Sequence, residues 1–185
     1  MNRFAIVALA VSACALYAQP KGGPRTQVDD LKQSYNQIKN LLTRAADDMQ
    51  EAGYSFRPTP EERGFGGWVA HVADAQAGGC GRVSGNAQNL GAAQMTSKAD
   101  LVSALKKSFE ICDAVYEGTT DANANDPVQG FGGTVPRISS LYGNIAHDQE
   151  CYGSMAVYLR LQKLVPPSSQ GRGGGRGKGG SGGKQ

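Results

Sequence analysis

From residue 26 onward the apolar positions recur in steps of three and four. Val28, Leu31, Tyr35, Ile38, Leu42, Ala45 and Met49 make one stripe, the spacing that puts side chains on a single helical face. Thr26 with Asp29 three positions later has the form of a capping box and Gly53 can stop the chain, so a helix is predicted over 26–52. Pro58 and Pro60, with Arg57 and Arg63, make 54–65 an irregular connection. A second helix is predicted from about 66 to about 86. Gly78, Gly79, Gly81 and Gly85 each cost it about 1 kcal/mol against alanine, so packing must hold it and its second half is expected to fray or kink. Residues 97–117 form a third helix, with Ser97 and Asp100 at its start, Leu101, Leu105, Phe109 and Cys112 along its stripe and Gly118 at its end. Residues 119–135 are turn-forming throughout. The last helix is predicted over 136–163, with Ile138, Leu141, Ile145, Tyr152, Met155 and Leu159 apolar and Pro166–Pro167 as terminators. No stretch alternates with a period of two, so no sheet is predicted. The chain reads as all-α, a four-helix bundle.

The two ends fall outside that bundle. Met1-Asn2-Arg3 followed by the small apolar run Phe4 to Ala18 has the layout of a secretory signal, and it is too short for a dedicated membrane span. The expected organisation is therefore signal 1–18, bundle 19–168 and tail 169–185. Export to the periplasm or the exterior is the expectation, with lipid anchoring through Cys14 of Val11-Ser12-Ala13-Cys14 as the rival reading. From Gly171 to Gln185 the tail holds nine glycines and no apolar side chain. Such a composition cannot offset the entropy of ordering, so the tail is expected to be disordered. Its Arg172, Arg176, Lys178 and Lys184 largely make the net charge of +3; removing those four bases leaves −1. The charge therefore does not argue for a specific nucleic-acid partner. Weak contact of the tail with an anionic surface is the interaction it suggests.

Chemistry concentrates in few residues. The sequence holds two histidines, His71 and His147. Cys151 lies four positions after His147, so on a helix both point the same way. Imidazole and thiolate both bind transition metals, and His71 from another helix would complete a three-donor set with a position open for chemistry. Cys151 reads equally as a small buried apolar side chain. Asp74, one turn after His71, is the candidate to support a ligand histidine, ahead of Asp148 and Glu150, whose plainer reading is a solvated helix face. Trp68, Tyr142 and Tyr152 read first as core aromatics, and Arg57 and Arg63 as solvated loop arginines. In an oxidising compartment Cys80 and Cys112, each on a helix that could neighbour the other, are expected to form a disulfide and leave Cys151 as the odd thiol.

Phe56-Arg57-Pro58-Thr59-Pro60-Glu61, followed by Trp68 and His71, resembles the DinB-like family. So does Asn144-x-x-His147-x-x-x-Cys151-x-Gly153, followed by Leu159 and Pro166–Pro167. The resemblance spans about residues 26–168. It implies up-down-down-up connectivity and a metal held by three histidines, one from the second helix and two from the fourth. His71 matches the first ligand position and His147 the second; the third holds Cys151, which shifts the expectation toward zinc, with nickel or iron as alternatives. It also implies a thiol-dependent transferase or a hydrolase acting on a small molecule, with a thiol as a candidate co-substrate, in a chain that could be a homodimer. The contrasting expectation is a non-catalytic exported bundle that holds a metal or ligand and attaches to the cell envelope through its basic tail.

Overall fold

The computed structural model describes residues 24–171, so the expected signal over 1–18 and all but the first residues of the expected tail lie outside the described residues. Helix α1 (Gln27–Asp48) starts at the predicted capping box: the Thr26 hydroxyl accepts from the Asp29 amide, and the Asp29 carboxylate accepts from the Thr26 amide. It ends before Gly53, earlier than the spacing predicts. The chain turns extended at Met49 and forms a short 3-10 segment, Glu51–Ser55, that folds Tyr54 back to donate to Ala46 O at 2.7 Å. Helix α2 (Phe65–Ser84) runs to Ser84 and closes on Gly85 at φ +77°, the left-handed cap that glycine adopts without strain. The expected fraying of its second half is absent, because Cys80 is bonded to Cys112 with 5.2 Å between their Cα atoms.

Helix α3 (Lys98–Glu117) begins at Ser97, whose hydroxyl accepts from the Asp100 amide. Helix α4 (Arg137–Leu161) completes the bundle. The contacts fix the directions. Tyr142, early in α4, donates to Gln27 O at the start of α1, so these two run parallel. Leu101 lies against Gly66 near the starts of α3 and α2, and the disulfide joins them further along, so these also run parallel. Lys98 at the start of α3 donates to Met49 O at the end of α1, which makes the two pairs opposed. The connectivity is up-down-down-up.

One expectation fails. The turn-rich stretch before α4 contains an antiparallel hairpin, β1 (Pro127–Gly130) and β2 (Gly133–Pro136), with Val128 paired to Val135. Each strand has four residues and a single valine, too few for alternation to register, and prolines close both far ends, where a ladder donor is not needed. The hairpin rests on α2 and α4 and places Phe131 at its tip.

The core is apolar and continuous, with Leu31, Leu42, Phe65, Phe109, Leu141, Met155 and Leu159 fully buried and Tyr35 stacked on Tyr116 at 3.7 Å between centroids. Among the described residues, polar side chains penetrate it at four places: Gln76, Ser108, Thr119 and Asp148. Two of these four build the site.

Candidate metal centre

His71 on α2 faces His147 and Cys151 on the antiparallel α4. The imidazole Nε2 atoms are 2.9 Å apart, Cys151 Sγ lies 3.6 Å from His147 Nε2, and all three donor atoms fall within 4.8 Å of one another. Cys151 is buried and the histidines are half-buried. A tetrahedral zinc centre has ligand edges of about 3.3 Å between nitrogens and about 3.6 Å between nitrogen and sulfur. The His147–Cys151 pair matches the second edge, the two rings need to part by a few tenths of an ångström for the first, and His71 stands within 4.8 Å of Cys151 Sγ. The donors therefore fit a soft or borderline divalent cation.

Beside His147 stands a residue that the sequence reads as solvated. Asp148 is fully buried, and its Oδ1, which has no hydrogen-bond partner, lies 3.6 Å from His147 Nδ1. Its Oδ2 accepts from Gln76 Nε2 at 2.6 Å. A carboxylate on the Nδ1 side favours a proton there, so that loss of the Nε2 proton would leave the Nε2 lone pair for a ligand bond, the arrangement common around metal-bound histidines. Gln76 Oε1 accepts from Asn144 Nδ2 at 2.9 Å and rests 2.7 Å from Cys112 Sγ. The latter is a contact rather than a hydrogen bond, since a disulfide sulfur carries no proton. A buried polar chain thus runs from the disulfide through Gln76 and Asp148 to His147.

Asp74, the expected supporter, does something else. Its two oxygens accept the amides of Ala92 and Ala93, both at 3.1 Å, and cap a short 3-10 turn in the α2–α3 connection. Of the aromatics, Tyr142 bonds to α1 and the Tyr152 hydroxyl accepts from the Ser168 amide, so neither hydroxyl reaches the site. Trp68 packs at the core edge with its ring centroid 6.1 Å from that of His71, and the Arg63 guanidinium covers it at 4.6 Å. Arg57 is exposed.

The two imidazoles are driven apart in basicity. The Asp148 carboxylate, then Cys151, pushes His147 up to about 10. Burial, then the Arg63 charge, holds His71 below the ordinary imidazole range. Burial raises Asp148 to about 6. Opposite shifts suit a pair in which His147 donates its proton to a neutral His71 across 2.9 Å, until a cation displaces it.

The fold is a helix bundle in which three potential donors converge between antiparallel helices, an arrangement from which bundles can build metal sites. The comparisons narrow this. The sequence model of the DinB superfamily matches residues 34–155, most of the bundle, and the chain belongs to that family. A DinB-like protein from Bacillus cereus has the same fold with a TM-score of 0.61 and 20% identity, over 74% of this chain and 93% of that one. A DinB-like protein from Bacillus subtilis gives a TM-score of 0.59 and 20% identity over the same shares. At such identities the likeness is one of fold. No curated protein matches the chain.

Proposed function

We propose that this protein is a metal-dependent enzyme of the DinB superfamily, of the thiol S-transferase or hydrolase type, using a divalent cation, zinc first, held by His71, His147 and Cys151. The observation that carries the reading is the convergence of three donor atoms within 4.8 Å from two helices, with a buried carboxylate facing the far nitrogen of one of them. A cation so held supplies a Lewis acid that brings the pKa of a thiol or water toward neutrality. The chain's own contributions are positional. Asp148 fixes the His147 tautomer, Gln76 fixes Asp148, and Cys151 supplies a thiolate that adds negative charge and favours zinc over harder metals. The Cys80–Cys112 bond also supports export, since such bonds persist in oxidising compartments.

Metal content of the protein purified without added metal, beside His147→Ala and Cys151→Ser, tests the site. Near-stoichiometric metal in the native chain and a loss of at least tenfold in affinity in either variant are expected. Equal and negligible metal in all three ends the proposal. Activated thiol acceptors and ester substrates then separate an enzyme from a passive binder, since metal-dependent turnover is expected only of the former.

A further inference from the structure

A cavity of about 700 Å³ opens beside the histidines, between α2, α4 and the hairpin. That is the size of an ordinary small-molecule site. His71 and His147 form one end of it, and Arg82 and the hairpin residue Phe131 also line it. Eleven positions separate His71 from Arg82 on α2, about 16 Å of helix, so the cavity is long.

Its floor is made by missing side chains. Gly78, Gly79 and Gly143 line it in the interiors of α2 and α4. A Cβ on Gly143 would meet nothing within 4 Å, so neither packing nor backbone conformation asks for glycine there. Glycine weakens a helix interior relative to alanine, and open space over the cavity is what it provides. Arg82 supplies a charge at the far end. Among the described residues its guanidinium has no hydrogen-bond or ion-pair partner, and its Nε is buried and unsatisfied. One terminal nitrogen lies over Gly78, 3.4 Å from where a Cβ would stand. Asp74, the carboxylate that shares the lining, is already engaged by the amides of Ala92 and Ala93. Phe131 is 98% exposed, with the Arg82 charge 5.9 Å from its ring centre. An exposed aromatic ring beside an apolar cavity gains burial when the cavity fills.

We infer that this cavity binds an elongated aryl-alkyl carboxylate, with the anionic end on Arg82, the apolar body on the glycine floor beside Phe131 and the other end at His71 and His147. This deepens the proposed function by naming its substrate class, and rests on it for what happens at the histidine end; binding itself needs no metal.

Isothermal titration of the full chain with 8-phenyloctanoate and its neutral amide, with and without zinc, tests it. The acid should bind at least tenfold more tightly than the amide. Arg82→Gln should erase that preference, and Gly143→Leu should abolish binding of both while circular dichroism is unchanged. Equal affinity of the native chain for acid and amide, an unchanged preference in Arg82→Gln, or no binding of the acid at millimolar concentration overturns the inference. The acid–amide comparison uses the native chain and decides the matter even where a variant fails to fold. Discriminating binding by protein that takes up no metal upholds this inference and removes the metal-enzyme reading; metal uptake without acid binding does the reverse.

Discussion

Replacing Asp148 by asparagine changes one oxygen for an NH2 group and should disable the centre while sparing the fold. The asparagine carbonyl can still accept from Gln76 Nε2, which lies 2.6 Å from the present carboxylate. The new amide then presents a donor to His147 Nδ1, where Asp148 Oδ1 now stands at 3.6 Å. A donor facing Nδ1 makes it the acceptor and sends the ring proton to Nε2, the nitrogen that meets His71 and Cys151. Loss of such a partner weakens metal binding by about ten- to a hundredfold, or about 1.4 to 2.7 kcal/mol. Metal-free stability should not fall. Burial already raises Asp148 to about 6, so folding disfavours the charge at neutral pH and a neutral side chain avoids that cost. Asp148→Ala differs: it strands the buried Gln76 amide and should cost about 1 to 3 kcal/mol of stability besides the cavity it leaves. Zinc titration against a chromophoric chelator, with thermal melts of stripped protein, separates the two variants. Native zinc affinity in Asp148→Asn would refute the positioning role.

Metal affinity should rise with pH from about 6 to about 8, by up to tenfold per unit for each proton displaced. The sign follows from His147 holding its proton up to about 10, so a cation must expel it across that whole range; a flat chelator titration would contradict this. Reducing the Cys80–Cys112 bond opens a link across 32 positions and should cost about 4 kcal/mol, seen as a melting temperature lower by on the order of 10 °C; an unmoved melt under reductant would show that the bond adds nothing. Two glycines should respond oppositely to alanine in urea melts. A Cβ on Gly81 would stand 2.5 Å from Asn86 O and 2.6 Å from Ala87 Cα, so Gly81→Ala should destabilise by about 2 kcal/mol, whereas Gly143→Ala should stabilise by up to about 1 kcal/mol; matching signs would overturn the reading of both sites.

The fold was legible where periodicity is long and ends are capped. The α1 stripe, the Thr26 and Ser97 caps and the spacing of His147 and Cys151 all carry their meaning in local sequence. The hairpin was not, because two strands of four residues hold too little pattern and their pairing is set by packing on α2 and α4. Asp148 was misread for a subtler reason. Judged as a charged residue it belongs on the surface, yet Leu141, Ile145, Asp148, Tyr152 and Met155 follow steps of four, three, four and three, so the acid stands within the buried stripe. Gln76 occupies the matching place on α2, between Ala73 and Cys80. A polar residue at an apolar register position was the available signal, and side-chain type outweighed it. Asp74 shows the converse error: proximity by one helical turn suggested a partner for His71, while the loop amides of Ala92 and Ala93 claimed its carboxylate.

Those two interior polar residues also explain why the centre sits where it does. Gln76 on α2 and Asp148 on α4 are buried and face each other across antiparallel helices, and a buried polar group left alone is costly. Sliding one helix by a turn shifts it by about 5.4 Å, which would part this pair and also separate His71 from His147. Leucine pairs at the same positions would tolerate such a slip far better. The disulfide, one turn along α2 from Gln76, ties the same stretch to α3 and resists the same motion. The register of the donors is thus set by neighbours outside the donor set, which hold His71, His147 and Cys151 within 4.8 Å of one another.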